Sequence, residues 1–215
     1  TFLLASDSVD LSAGYMMCMI GIISGLLSQT GMPFICILIL CAVIAVICSC
    51  FNAVIENKFN LPPFLVTLAM QQVFRGILML LSNGSPISNL NEGIIYMGQG
   101  YIGPIPFSVL LMLVFIVIGH IIFSRTQFGR NVIAVGGNPE AARVSGIDVN
   151  KTRVYVSALL GFTIAIMALV SCGRIASAQT TLGGDTVMDI GFSNVNPVIH
   201  VPGTVLGVST MENFG

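Results

Sequence analysis

The chain has 215 residues, 55% of them hydrophobic and only 8% charged, with a formal net charge of −1 and a mean hydropathy of +0.95. Soluble domains carry about 25% charged residues, so this composition excludes an ordinary soluble domain and belongs with membrane proteins. Eight bases, confined mostly to loops, also exclude a nucleic-acid interface, which needs a basic face.

The opening residues, TFLLASDSVDLSAG, show neither a basic n-region nor a cleavage site, so they are read as part of the fold rather than as a signal peptide. Crossing a bilayer takes about 20 apolar residues in helical form. Five stretches meet that requirement: 11–28, 33–55, 64–82, 104–124 and 154–172. Short polar or Gly/Pro-rich links separate them: QTGMP, ENKFNLPP, NGSPISNLNEG and a long basic loop, 125–153. A sixth stretch, 187–208, is interrupted by Asp189, Pro197, His200 and Pro202, which makes it a broken or re-entrant segment at best. Asp10 is placed to cap the first helix, with Ser12 in its first turn.

Orientation follows from Lys and Arg in short loops. Residues 56–63 carry Lys58, and 125–153 carry Arg125, Arg130, Arg143, Lys151 and Arg153, whereas 29–32 and 83–103 carry none. Alternating the five spans puts both basic loops on one side, the cytoplasmic one. Gly14, Gly21 and Gly25 in the first span, with Gly161 and Ala165 in the fifth, let helices approach closely and predict a packed bundle.

The six cysteines lie mostly within apolar runs, with no Cys-x-x-Cys and no neighbouring His, so they read as small buried hydrophobes. Arg75 is the one base deep inside a span, where a lone Arg costs about 2.5–3.5 kcal/mol on insertion scales. Thr67, Gln71 and Arg75 follow at spacings of four, which predicts one polar helix face. That face lines a translocation path or makes interhelical hydrogen bonds. His120 is expected to be packed rather than to relay protons, and Arg174 falls on the outer side.

Residues 138–146 in the basic loop read as a complete short helix. Asn138 caps it, Pro139 suits the first helical position, Glu140 and Arg143 complement the helix dipole, and Gly146 ends it in the left-handed conformation. Such a helix, about 10 Å long, is unstable alone. Its small face of Ala141, Ala142 and Ser145, flanked by Val144 and Ile147, suits insertion into a groove on another protein; the alternative is a helical linker that packs on its own bundle.

The stretch FGRNVIAVGGNPEAARVSGIDVNKTRV resembles the cytoplasmic loop of bacterial ribose/xylose/galactose-type ABC-transporter permeases. VDLSAG (9–14), LPPFLVTLAMQQVFRGILMLLSNGSPI (61–87) and RIASAQTTLGGDTVMDI (174–190) resemble three further blocks of that family in the same order. After Asp189 the chain departs from the family's Ala-rich run and Gly-Gly-Thr-Ser segment. The resemblance implies an all-α, polytopic transmembrane bundle of the type II-like ABC importer permease class, with 5–6 spans. It makes residues 1–215 one permease domain, expected to be incomplete at both ends.

The resemblance also makes 125–153 a cytoplasmic coupling loop that docks on an ATPase subunit, through Gly136, Gly137, Asn138, Pro139, Glu140, Ala141, Ala142, Arg143, Ser145 and Gly146. It implies a second permease subunit as a homodimer, an extracytoplasmic sugar-binding protein and surrounding lipid as partners, in the bacterial inner membrane. No phosphate-gripping Gly-x-x-x-x-Gly-Lys-Ser/Thr occurs, so ATP and Mg belong on the partner and no cofactor is expected here. No hydrolase or metalloprotease signature appears either. The expected function is import of a small sugar; the alternatives are an ATP-independent secondary transporter or channel, or a related permease for autoinducer, nucleoside or branched-chain amino acid.

Overall fold

The computed structural model describes residues 10–59 and 61–180. The interrupted stretch at 187–208 and the end of the 174–190 block lie outside the described residues. Helices dominate: α1 (Ala13–Gln29), α2 (Phe34–Phe59), α3 (Pro63–Ser82), α4 (Glu92–Gln99), α5 (Phe107–Arg125), α6 (Gln127–Gly137), α7 (Pro139–Val144) and α8 (Val149–Ile175). Between α4 and α5 the chain makes a small antiparallel hairpin, β1 (Tyr101–Ile102) with β2 (Ile105–Pro106).

Four helices, α2, α3, α5 and α8, are long and apolar enough to cross a membrane. The fifth expected span, α1, has 17 residues and lies at the low end of the spanning range. Its position explains its composition. Met16, Ile20 and Ile22 are fully buried, because α1 is wrapped by α2, α3 and α8. The structure shifts one boundary detail: Ser12, not Asp10, occupies the N-cap position. Asp10 instead accepts hydrogen bonds from the Ser12 amide (2.8 Å) and hydroxyl (2.6 Å) and so fixes the cap residue.

Helices α2 and α8 form the main antiparallel pair. Lipid is as apolar as their side chains, so close van der Waals contact and interhelical hydrogen bonds hold them together. Small residues make the approach possible. A Cβ on Gly161 would meet the Ala45 carbonyl oxygen at 2.6 Å and the Val46 Cα at 2.8 Å. One step along the seam, the Ser49 hydroxyl donates to the Ser157 carbonyl oxygen at 2.6 Å. The opposite face of α2, with Ile35, Ile39, Val43, Ile47 and Phe51 at spacings of four, is exposed and matches a lipid boundary. Helix α5 buries no residue at all; an opening of about 780 Å³ separates it from α8, lined by Phe115, Phe162, Thr163 and His120 among others.

Polar contacts gather at the two ends of the bundle. At the basic end, Asn57 Nδ2 donates to the Asn150 carbonyl (3.2 Å). Deeper in, about two turns short of the end of α2, Asn52 Nδ2 donates to Ser12 Oγ (3.0 Å). At the other end, Ser28 Oγ donates to the Asn89 carbonyl (3.4 Å), Asn91 Nδ2 to the Met32 carbonyl (3.2 Å) and Gln99 Nε2 to the Arg174 carbonyl (3.1 Å). Ile87 and Ala178 pair through two backbone bonds of 2.9 Å there. The helix ends therefore alternate as five crossings require, and both basic segments fall on one end. The link at 83–103 is more than a polar connection, since it holds α4 and the first strand of the hairpin. Gly98 of α4 and Gly173 of α8 touch backbone to backbone, leaving no room for a Cβ on either.

Candidate functional site: the basic loop and the α3 face

The basic loop is a folded unit with its own small core. Thr126 starts it: its hydroxyl donates to the Ile122 carbonyl at 2.5 Å and accepts from the Gly129 amide at 3.2 Å, ending α5 and capping α6. Gly129 packs against the Phe123 carbonyl where a Cβ would not fit. Helix α6, absent from the sequence expectation, buries Gly129, Val132 and Val135 on one side. Asn138 then caps α7, accepting from the Ala141 amide at 3.0 Å, with Pro139 in the first turn. The helix ends as expected: Gly146 has φ +83°, its amide donates to the Arg143 carbonyl, and the Ile147 amide donates to the Ala142 carbonyl, both at 3.0 Å.

Val135, Ala142 and Val149 form the buried centre of this unit, with Ala134 and Ile147 against it. Ala142 is 3% exposed, which corrects the expectation that Ala141, Ala142 and Ser145 share one outward small face. Ala142 points into the loop's own core; Glu140, Ala141, Arg143, Val144, Ser145 and Gly146 are exposed. Gly137 and Asn138 are also exposed, whereas Gly136 and Pro139 are half-buried. Val144, which the sequence treats as a flanking residue, is 91% exposed. An exposed valine beside exposed alanine on a two-turn helix is an apolar contact point with nothing on it. Glu140 and Arg143 are 3.8 Å apart and exposed, a surface pair of little stabilising value.

Asp148 couples the loop to the membrane helix. Its carboxylate accepts from the Lys151 amide at 3.1 Å, capping α8, and meets Lys151 Nζ at 3.1 Å. The backbone hydrogen bond from Lys151 is the main cause that holds this carboxyl below its usual range. A shallow cleft of about 250 Å³ lies beside it, lined by Arg143, Gly146, Ile147, Asp148, Val149 and Asn150.

The second set of expected residues divides between two faces of α3. Thr67 and Gln71 are 1% and 6% exposed, and the Thr67 hydroxyl donates to the Pro63 carbonyl at 2.9 Å. Both are turned into the bundle. Arg75 is exposed, and its guanidinium carbon lies 5.7 Å from the centroid of the Tyr15 ring, within cation–π range. Gln72, exposed and one turn before Arg75, joins the outward face that the sequence expectation assigned to Gln71. His120 lines the opening between α5 and α8, with Nδ1 3.5 Å from the Ser124 hydroxyl. Arg174 is exposed at the end opposite the basic loop.

Over residues 1–207 the sequence matches the family described as branched-chain amino acid transport system / permease component. It is 31% identical to the ribose import permease protein of Bacillus subtilis (strain 168), over 97% of this chain and 67% of that protein. It is 32% identical to the galactose/methyl galactoside import permease protein of Escherichia coli (strain K12), over 99% of this chain and 72% of that one. With the xylose transport system permease protein of the same E. coli strain the identity is 25%, over 99% and 72%. No solved structure matches.

Proposed function

Because the chain belongs to the branched-chain amino acid transport system / permease component family, we propose that it is the membrane-spanning subunit of an ATP-driven importer for a monosaccharide. It is a multi-pass protein of the bacterial inner membrane and a transport subunit rather than an enzyme. The relatives named above carry ribose, galactose or xylose in their names, which favours a small sugar over an amino acid. Sugar delivered by an extracytoplasmic binding protein passes between this chain and a second copy of it. ATP and Mg are handled by a separate ATPase subunit on the cytoplasmic side.

The observation that carries this reading is the exposed face of α7. A capped helix of six residues is too short to persist unaided, yet here the α6–α8 core holds it with Ala141 and Val144 outward. Such a projection suits a groove on the ATPase. Residues 136–146 position it: Gly136 and Gly137 close α6, Asn138 and Pro139 open α7, and Gly146 turns the chain back to the membrane. Of the α3 residues, Arg75 is the one we assign to the solute path. Thr67 and Gln71 hold α3 in the bundle behind it.

Co-purification with the ATPase subunit tests this. Ala141→Arg together with Val144→Arg leaves the loop core untouched and should abolish retention of the ATPase, with the permease still reaching the membrane. Full retention by that double variant would sink docking through α7.

A further inference from the structure

Arg75 lies well inside α3, about 18 Å from its start and about 10 Å from its end at ~1.5 Å per residue. Its side chain does not turn outward to the nearer membrane boundary. Side chains on a helix tilt toward its N-terminus, and the guanidinium rests over Tyr15. Tyr15 belongs to the first turn of α1, and that turn itself begins at depth. Ser12 meets Asn52, which lies about 10 Å short of the end of α2. The guanidinium is therefore held within the hydrocarbon zone. Among the described residues it has no hydrogen-bonded or ionic partner, although it carries five N–H donors.

A charged group at that depth faces protein or a water-filled cavity rather than lipid. The rest of α3 draws the same boundary. Val73, Ile77 and Leu80 are exposed at 48%, 38% and 81% and form an apolar flank suited to lipid. Gln72 and Arg75 are exposed beside it, with Met79 one turn on, and Gly76 has nothing within 4 Å of its Cβ position. Two polar side chains thus open outward in the middle of an otherwise apolar helix.

We propose that Gln72 and Arg75, with Tyr15 behind the guanidinium, form the solute-contacting wall of the translocation path, and that its ligand is a neutral, polyhydroxylated solute of monosaccharide size. The ligand class rests on the importer reading above; the wall rests on the exposure of Gln72 and Arg75 and on their depth. Hydroxyls both donate and accept. Gln72 offers both functions and Arg75 offers donors in a planar fork, so adjacent hydroxyl oxygens can be held together. The Tyr15 ring lies under the guanidinium and is packed against the core, so it holds that fork in place at the wall. The positive charge of Arg75 also disfavours cations.

Two measurements test it. Gln72→Cys, Arg75→Cys, Val73→Cys and Leu80→Cys are introduced singly and treated in membranes with a charged thiosulfonate, whose sulfur is attacked by hydrated thiolate with loss of sulfinate. Modification at 72 and 75 at least about tenfold faster than at 73 and 80, above the native-cysteine background, supports the wall. Equal rates at all four, or faster reaction at 73 and 80, overturn it. In the intact importer, Gln72→Ala and Arg75→Gln should change the ratio of ribose to galactose kcat/KM by about fivefold or more, with membrane levels retained. An equal fall for both sugars shows a structural role and overturns solute contact. Accessible thiols at 72 and 75 in an importer whose wild-type form carries none of a panel of neutral pentoses and hexoses overturn the monosaccharide ligand while leaving the water-lined wall standing.

Discussion

Ala142 and Val144 sit two residues apart on the same short helix and face opposite ways: one is 3% exposed inside the loop core, the other 91% exposed. Stability and docking are thereby assigned to different side chains, and substitutions can separate them. Ala142→Leu overpacks the contact with Val135 and Val149 and should cost about 1–3 kcal/mol, seen as faster proteolysis of the 126–148 segment. Val144→Ser should change stability by less than about 0.5 kcal/mol yet weaken retention of the ATPase. Loss of retention with Ala142→Leu alone, and none with Val144→Ser, would reverse the assignment.

Asn138 tests the cap. Its side chain accepts the Ala141 amide, and Asn138→Ala should cost the α7 unit about 1 kcal/mol. Amide exchange at Ala141 should accelerate about fivefold, at roughly 1.4 kcal/mol per decade. Asn138→Asp, which keeps an accepting oxygen, should restore most of the protection.

Gly161 tests the seam between α2 and α8. Gly161→Val drives a side chain into the Ala45 carbonyl, separates the helices and stretches the Ser49–Ser157 hydrogen bond. The expected loss is about 1–3 kcal/mol, read as a lower melting temperature in detergent. Gly76→Ala, at a helical position with open space around it, should leave the melting temperature unchanged or raise it.

Asp148 gives a pH dependence of known sign. Its folded pKa is depressed, chiefly by the Lys151 amide. The cap therefore contributes fully above the ordinary carboxylate value of about 3.9 and is lost as pH falls through the lower folded value. The protection factor of the Lys151 amide, its intrinsic exchange rate divided by the observed rate at each pH, should be flat above that range and fall below it. Asp148→Asn keeps an oxygen acceptor without titrating, and should flatten the profile.

The spans were legible because lipid makes composition itself the signal: the apolar run from Phe34 onward needs no periodicity to be read as a crossing. The α7 helix was legible because Asn138, Pro139 and Gly146 mark both of its ends. Helix α6 was not. Its buried side comprises only Gly129, Val132 and Val135, and its closing Gly136–Gly137 reads as a turn. The inward aim of Ala142 was hidden for a related reason, since the Val135 and Val149 partners come from two different helices. The α3 stripe misled through helical geometry. Each step of four residues advances about 40° around an α-helix, so two steps carry Arg75 off the face that buries Thr67 and Gln71.

Helix α8 runs without a break from the cap at Asp148 to Ile175, about 40 Å at ~1.5 Å per residue. Gly161, pressed on Ala45, sits near its midpoint, and Gly173 grips α4 near its far end. With Asn57 on Asn150 near its start as well, the rod is gripped at both ends and in the middle. The loop, α2 and α4 are thus keyed to one continuous element, and none of them shifts relative to α8 without breaking a close backbone contact or a hydrogen bond.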